Sequence, residues 1–176
     1  MQSKHRIRKC TETDAHVMSA IASSTFLETY AGLLSTDDIL AHCSAHFSPA
    51  KFSEVLRNSE SSAAVVETQP ISTAIGYRVL ERVTVETDAF LVNDIELKKL
   101  YLLSRFHGTG LGSALISQAI AEAAKLGARR LVLGVYEENT SAISFYERSG
   151  FRPIGERSVR VGSLKLWDIL MARIIG

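Results

Sequence analysis

Glu96-Leu-Lys-Lys-Leu-Tyr-Leu-Leu-Ser-Arg-Phe-His-Gly-Thr-Gly-Leu-Gly-Ser-Ala-Leu115 runs a strand pattern into a glycine-rich turn and then into a helix. Leu97 to Leu103 is apolar and aromatic enough for a mostly buried strand, and Leu111, Leu115, Ile116, Ala119, Ile120 and Ala123 recur at helical spacing. Gly108, Gly110 and Gly112 sit at the joint. Lacking a Cβ, glycine lets backbone N–H groups approach a ligand, and the N–H groups of a first helical turn have no partner inside the helix. Such a turn predicts an anion site suited to a phosphate or pyrophosphate.

Spacing separates three nucleotide-type readings. In the dinucleotide pattern G-x-G-x-x-G/A, counting from Gly108 and Gly110 puts the last position on Ser113, and no acidic residue ends the next strand, Leu131 to Val135. A Walker A loop needs Gly-Lys-Ser/Thr, and the chain has no Gly-Lys pair. The pyrophosphate loop of acyl-CoA-dependent N-acetyltransferases, R/Q-x-x-G-x-G/A, falls on His107, Gly108, Thr109, Gly110, Leu111 and Gly112 when aligned on the strand, with Ser113 following.

From these residues the sequence resembles the GNAT superfamily. Glu96 to Leu102 looks like that family's E-L-x-x-L-Y-V strand, and Asn139-Thr-Ser-Ala-Ile-Ser-Phe-Tyr-Glu-Arg-Ser-Gly-Phe151 looks like its N-x-x-A-x-x-F-Y-x-x-x-G-F block. The usual Arg or Gln of the loop is His107, and Arg105 opens a second R-x-x-G-x-G register through Gly108 and Gly110. The resemblance implies acetyl-CoA as co-substrate, with its pantetheine arm in a gap between splayed fourth and fifth strands. There it would pair with backbone groups of Leu100, Tyr101 and Leu102.

The whole chain, residues 1–176, reads as one domain. With 46% hydrophobic and 22% charged residues it is globular, and a net charge of +1 argues against nucleic acid or anionic membrane as a partner. The start, Met1 to Arg8, lacks the apolar core of a signal peptide, and no apolar run is long enough for a bilayer. Cys10 and Cys43 have neither metal-ligand spacing nor a disulfide framework, so no metal is expected and the cytoplasm is the simplest home.

His5 to Lys9 predicts a first strand. Helices follow to about Tyr30, from Ser35 to about Phe47, and from Ala50 to Leu56. Asn58 to Ser62 reads as a loop, Ser62 to Glu67 and Thr73 to Thr84 as strands, and Glu86 to Asn93 as a connection. After the central strand and helix come a strand at Arg130 to Val135, a helix at Asn139 to Ser149, and a closing hairpin of Phe151 to Arg160 and Ser163 to Ile174. Phe151 and Trp167 read as core residues of that hairpin. The fold class expected is α/β, a mixed and mostly antiparallel sheet with splayed central parallel strands flanked by helices, as in the GNAT fold.

A primary amine of pKa about 10.4 must lose a proton before it attacks a thioester, at a cost of about 4 to 5 kcal/mol at pH 7. Glu96 is the candidate base, directly or through water, against the alternative of a solvated strand-face charge. A backbone N–H of Leu102 is placed to stabilise the oxyanion. Tyr146 is the acid that the resemblance assigns for the departing sulfur; a helix tyrosine beside Phe145, taken alone, is more often core. Asn139 is read either as bonding pantetheine or as a helix N-cap, and Arg148 as lying near the 3′-phosphate or as a solvated charge. The resemblance is nearest to spermine/spermidine-type acetyltransferases of the PaiA kind, through Thr25 to Tyr30, Leu131 to Asn139 and Asp168 to Ala172. It implies that Phe26 and Tyr30 line an amine pocket and that Glu28, Asp37 or Asp38 attract a polyamine. Alternation puts Lys98 on the face of Glu96, where it would repel one, so other small amines stay open. The family's habit of dimerising is the reason to consider a homodimer. A non-catalytic acyl-CoA sensor is the alternative from another class.

Overall fold

The computed structural model describes residues 4–83, 87–162 and 164–175. Met1 to Ser3, and the element ends expected at Thr84, Glu86 and Ser163, lie outside the described residues. The order is β1 (His5–Lys9), a 3-10 turn (Glu12–Asp14), α1 (Ala15–Tyr30), α2 (Thr36–His46), α3 (Pro49–Arg57), β2 (Ser61–Thr68), β3 (Ala74–Arg82), β4 (Ile95–Leu102), a 3-10 turn (Ser104–Phe106), α4 (Leu111–Lys125), β5 (Arg130–Tyr136), α5 (Thr140–Arg148), β6 (Arg152–Val161) and β7 (Leu164–Ile174). The strands form a seven-stranded mixed sheet in the order β1-β2-β3-β4-β5-β7-β6. β1 pairs antiparallel with β2, β7 antiparallel with β5 and with β6, and β4 runs parallel to β5. The β4–β5 register covers Ile95↔Leu131 and Glu96↔Val132, and β4 continues to Leu102.

Local chemistry sets these boundaries. The side chains of Ser35, Ser48 and Asn139 accept N–H bonds from Asp38, Lys51 and Ala142 at 3.1, 3.4 and 3.1 Å, capping α2, α3 and α5, and Pro49 opens α3 without an N–H to lose. Before α1, the Asp14 carboxylate accepts from the Thr11 amide and from Arg8, which also binds Glu67 of β2. The hydrogen bonds from Arg8 hold the Asp14 carboxyl down to about 2.

Two sequence expectations are corrected. Ser61 already belongs to β2, so the loop read over Asn58 to Ser62 is shorter. Trp167 is 42% exposed, with Lys165 over its ring at 5.1 Å, rather than core; its strand neighbours Leu166, Leu170 and Met171 supply the buried side chains. Phe151 is fully buried, as expected.

By contacts the chain groups into two compact units, Met1–Val79 with Lys99–Leu115, and Leu80–Lys98 with Ile116–Gly176. In the first, Val66, Ile75 and Leu115 form a buried cluster against which Leu100, Leu102, Leu103, Phe106 and Leu111 pack. In the second, Phe90, Val132, Leu170 and Ala172 do the same with Ile154. Gly76 lets β4 come close to β3: a Cβ there would lie 2.7 Å from the Tyr101 carbonyl oxygen and collide with the Leu102 side chain. Gly76→Ala is therefore expected to destabilise the protein by about 1 to 3 kcal/mol, read as a lower midpoint in urea with an unchanged slope.

Candidate active site

The loop after β4 is built for unpaired donors. Leu103 N–H bonds the Ile75 carbonyl at 2.9 Å, anchoring the end of the strand, and the chain then turns through Ser104–Phe106. Gly108 (φ +73°) and Gly110 (φ +84°) take the left-handed conformation that glycine adopts without strain. The first bond closing α4 runs from Ala114 N–H to the Gly110 carbonyl at 3.0 Å, so the amides of Leu111, Gly112 and Ser113 precede any helical partner. With the helix dipole behind them, these amides favour an anion. Thr109 does not add a side-chain donor toward it, because its hydroxyl bonds the Phe106 carbonyl at 2.6 Å. Changing Gly110 to Ala should raise the KM for the anionic co-substrate about 5- to 30-fold, the equivalent of about 1 to 2 kcal/mol of left-handed strain, with kcat nearly unchanged.

His107 and Arg105, the two basic candidates for phosphate, are both engaged locally. His107 Nε2 lies 2.9 Å from the Leu102 carbonyl and donates to it when its proton is on that nitrogen. Arg105 lies over the Phe106 ring at 4.9 Å. The side chains of Leu100 and Leu102 are held in the apolar cluster and Tyr101 stacks on Tyr77 at 5.8 Å, so what these residues can offer a ligand is backbone. The Glu28 carboxylate accepts from both the amide and the hydroxyl of Ser104, at 2.9 and 3.1 Å, tying α1 to the start of the loop.

Phe26 and Tyr30 are brought together with centroids 4.4 Å apart, and Phe26 is also stacked face to face on His42 at 4.3 Å. Phe47 and Phe52 continue the group, with the Lys99 ammonium 4.7 Å above the Phe47 ring. Burial first, then the charges of His46 and Lys99, push the His42 imidazole down to about 4, so it stands in the group as a neutral ring at pH 7. Phe26 is buried and packs the helices, while Tyr30 is half-buried.

Glu96, Asn139, Tyr146 and Arg148 belong to the second unit. Glu96 is not the solvated strand charge of the alternative reading: it is 2% exposed. Its carboxylate pairs with Lys98 at 2.8 Å and with Arg157 at 3.1 Å, and Arg157 also reaches Asp168 at 3.4 Å. Gly134 makes room for this network, since a Cβ there would lie 2.7 Å from the Arg157 guanidinium and 2.9 Å from Asp168. Burial raises the Asp168 carboxyl above its ordinary range while Arg157 opposes the shift. Arg157 and Asp168 were not foreseen from sequence. They face each other across the β6–β7 ladder, and the signal for them was that register, which the irregularity between Pro153 and Gly155 obscures.

Tyr146 is buried, with its ring 5.2 Å from Phe145 and 5.7 Å from Phe151. Burial alone drives its hydroxyl well above the ordinary tyrosine pKa, so it carries its proton throughout the neutral range. Asn139 caps α5 through its side-chain oxygen. Arg148, in the last turn of α5, lines a cavity with Arg130, Arg152 and Arg173, and none of residues 107–113 contributes to that lining.

Residues 27–151 match the Acetyltransferase (GNAT) family. An uncharacterised N-acetyltransferase of Mycobacterium tuberculosis is 35% identical over 161 residues, covering 92% of this chain and 97% of the relative. A spermidine N(1)-acetyltransferase of Thermoplasma acidophilum is 26% identical over 148 residues, 83% of this chain and 87% of that one. The crystal structure of PaiA N-acetyltransferase from Thermoplasma acidophilum in complex with coenzyme A superposes with a TM-score of 0.78 at 23% identity, covering 98% of this chain and 99% of that one. Among the described residues no helix is long and apolar enough to cross a membrane. The family match spans the glycine turn and the Asn139 to Phe151 block, and with the 35% identical relative it shows that the chain belongs to the GNAT family of acetyl-CoA-dependent N-acetyltransferases.

Proposed function

We propose that the protein, acting as one acetyltransferase domain over residues 1–176, moves an acetyl group from acetyl-CoA to a primary amine of a small molecule, a polyamine being the first substrate to try. The observation that carries the reading is the row of helix-start amides at Leu111, Gly112 and Ser113 behind two left-handed glycines, the chemistry a diphosphate needs. In this reading Gly108 to Ser113 hold the diphosphate, and backbone groups of Leu100 to Leu102 meet the pantetheine arm. His107 and Thr109 shape the turn through their bonds to Leu102 and Phe106. Asn139, the N-cap of α5, is assigned to the cofactor, whereas Arg148, expected near its 3′-phosphate, lines a cavity with three other arginines.

Glu96 accepts the amine proton, directly or through water. As nitrogen attacks, the thioester carbon–sulfur bond breaks and Tyr146 gives its proton to the departing sulfur. A hydroxyl kept protonated by burial is suited to that step. Polyamine as substrate is supported by the spermidine-acetylating relative. The expected repulsion from Lys98 is offset by the ion pair that it makes with Glu96. Of the expected pair Phe26 and Tyr30, the half-buried Tyr30 then serves as the aromatic wall of the amine site, with the buried Phe26 and the neutral His42 ring packed behind it. Cys10 and Cys43, both free thiols, support a reducing cytoplasmic setting, and a homodimer follows the habit of the family.

Free thiol release from acetyl-CoA, measured with a panel of polyamines, amino acids, aminoglycosides and peptides, tests the proposal. Release with one amine class is the expected outcome. Acetyl-CoA binding with no release for any amine would favour a sensor instead.

A further inference from the structure

Where β5 begins, the second unit concentrates positive charge. Arg130, Arg148, Arg152 and Arg173 line one cavity of about 570 Å³, together with Ser149 and Gly150 and no acidic residue. Among the described residues the single carboxylate bonded to any of the four is Asp94, 2.6 Å from Arg130. Two of the others, Arg152 and Arg173, are oriented by neutral carbonyls. Arg152 donates to Phe151 and Glu147 at 2.7 and 3.1 Å, and Arg173 donates to Ser149 at 2.6 Å while its stem packs on Gly150. The carbonyls at the end of α5 offset roughly half a charge. Three guanidinium charges therefore remain uncompensated by carboxylates around a concave space, an arrangement that self-repulsion disfavours unless an anion joins it.

We propose that this cavity binds a small molecule carrying at least two negative charges on phosphate or carboxylate groups, at a site distinct from the turn at residues 108–113. Guanidinium forks match both groups in bidentate geometry, and the volume falls in the range of small-ligand sites rather than of a flat protein contact. Its position is at the start of β5, whereas ligands of parallel strands usually sit at the ends where the strands finish. Arg148, expected near the cofactor, is assigned to this second ligand instead.

The test is calorimetric titration of inorganic pyrophosphate, and separately of citrate, into protein saturated with CoA. Binding of either anion at one site per chain, weakened at least tenfold in both Arg148→Gln and Arg152→Gln, is expected, and the tighter anion identifies the phosphate or carboxylate source. Both arginines are exposed, and an unchanged thermal midpoint without anion certifies the fold of each variant. Absence of binding for both anions in the millimolar range, or equal binding by wild type and variants, overturns the proposal. So does an anion that binds the free protein but is displaced by CoA, which returns Arg148 to the cofactor. Should CoA itself fail to bind, the same titration on free protein keeps this site testable apart from the acetyl-transfer reading.

Discussion

Tyr146→Phe is expected to lower kcat by about 10²-fold or more while the dissociation constant for acetyl-CoA stays within about twofold. The substitution removes one oxygen from a ring packed against Phe145 and Phe151, so the packing stays and only the proton goes. Burial keeps that hydroxyl protonated well above neutral pH, and the wild type should therefore show no loss of activity from tyrosine ionisation up to pH 9. Steady-state kinetics with acetyl-CoA titration separates the two effects. If kcat is unchanged, the buried ring is core and nothing more.

Glu96→Gln should cost about 10²- to 10³-fold in kcat at pH 7, with the deficit shrinking as pH rises toward the amine's own pKa, where less base is needed. The pH profile matters because Glu96 also has a structural job. It neutralises Lys98 and Arg157, whose side chains are 27% and 22% exposed, and its loss leaves two cations facing each other. Solvent reaches both, so the stability cost is about 1 to 3 kcal/mol rather than that of a sealed pair, or a few degrees to about ten in Tm. Asp168→Asn provides the control, since it also deprives Arg157 of a carboxylate. If the two variants lost turnover equally, with the same pH profile, Glu96 would be a positioning residue and the base would have to be sought elsewhere.

Much of this was legible in the sequence because local rules agree with the fold. Alternation placed Lys98 beside Glu96, the glycines read as a turn lie at the joint of β4 and α4, and Asn139 opened a helix. Periodicity could not reveal which charges meet across strands. Arg157 reaches Glu96 from β6, and Arg130, Arg148, Arg152 and Arg173 gather from four elements, so both clusters depend on tertiary placement. Trp167 misled for a related reason. Alternating patterns tell inside from outside only once the register is known, and an aromatic on an exposed face reads like a core residue. Glu28, read as a charge for a cationic substrate, also holds the amide and hydroxyl of Ser104, a contact between distant segments that no local pattern announces.

Crystals of the protein with bound CoA would test the central claim most directly. The account predicts diphosphate oxygens at hydrogen-bonding distance from the amides between Gly108 and Ser113. A nucleotide bound elsewhere, with those amides meeting only solvent or protein, would contradict it.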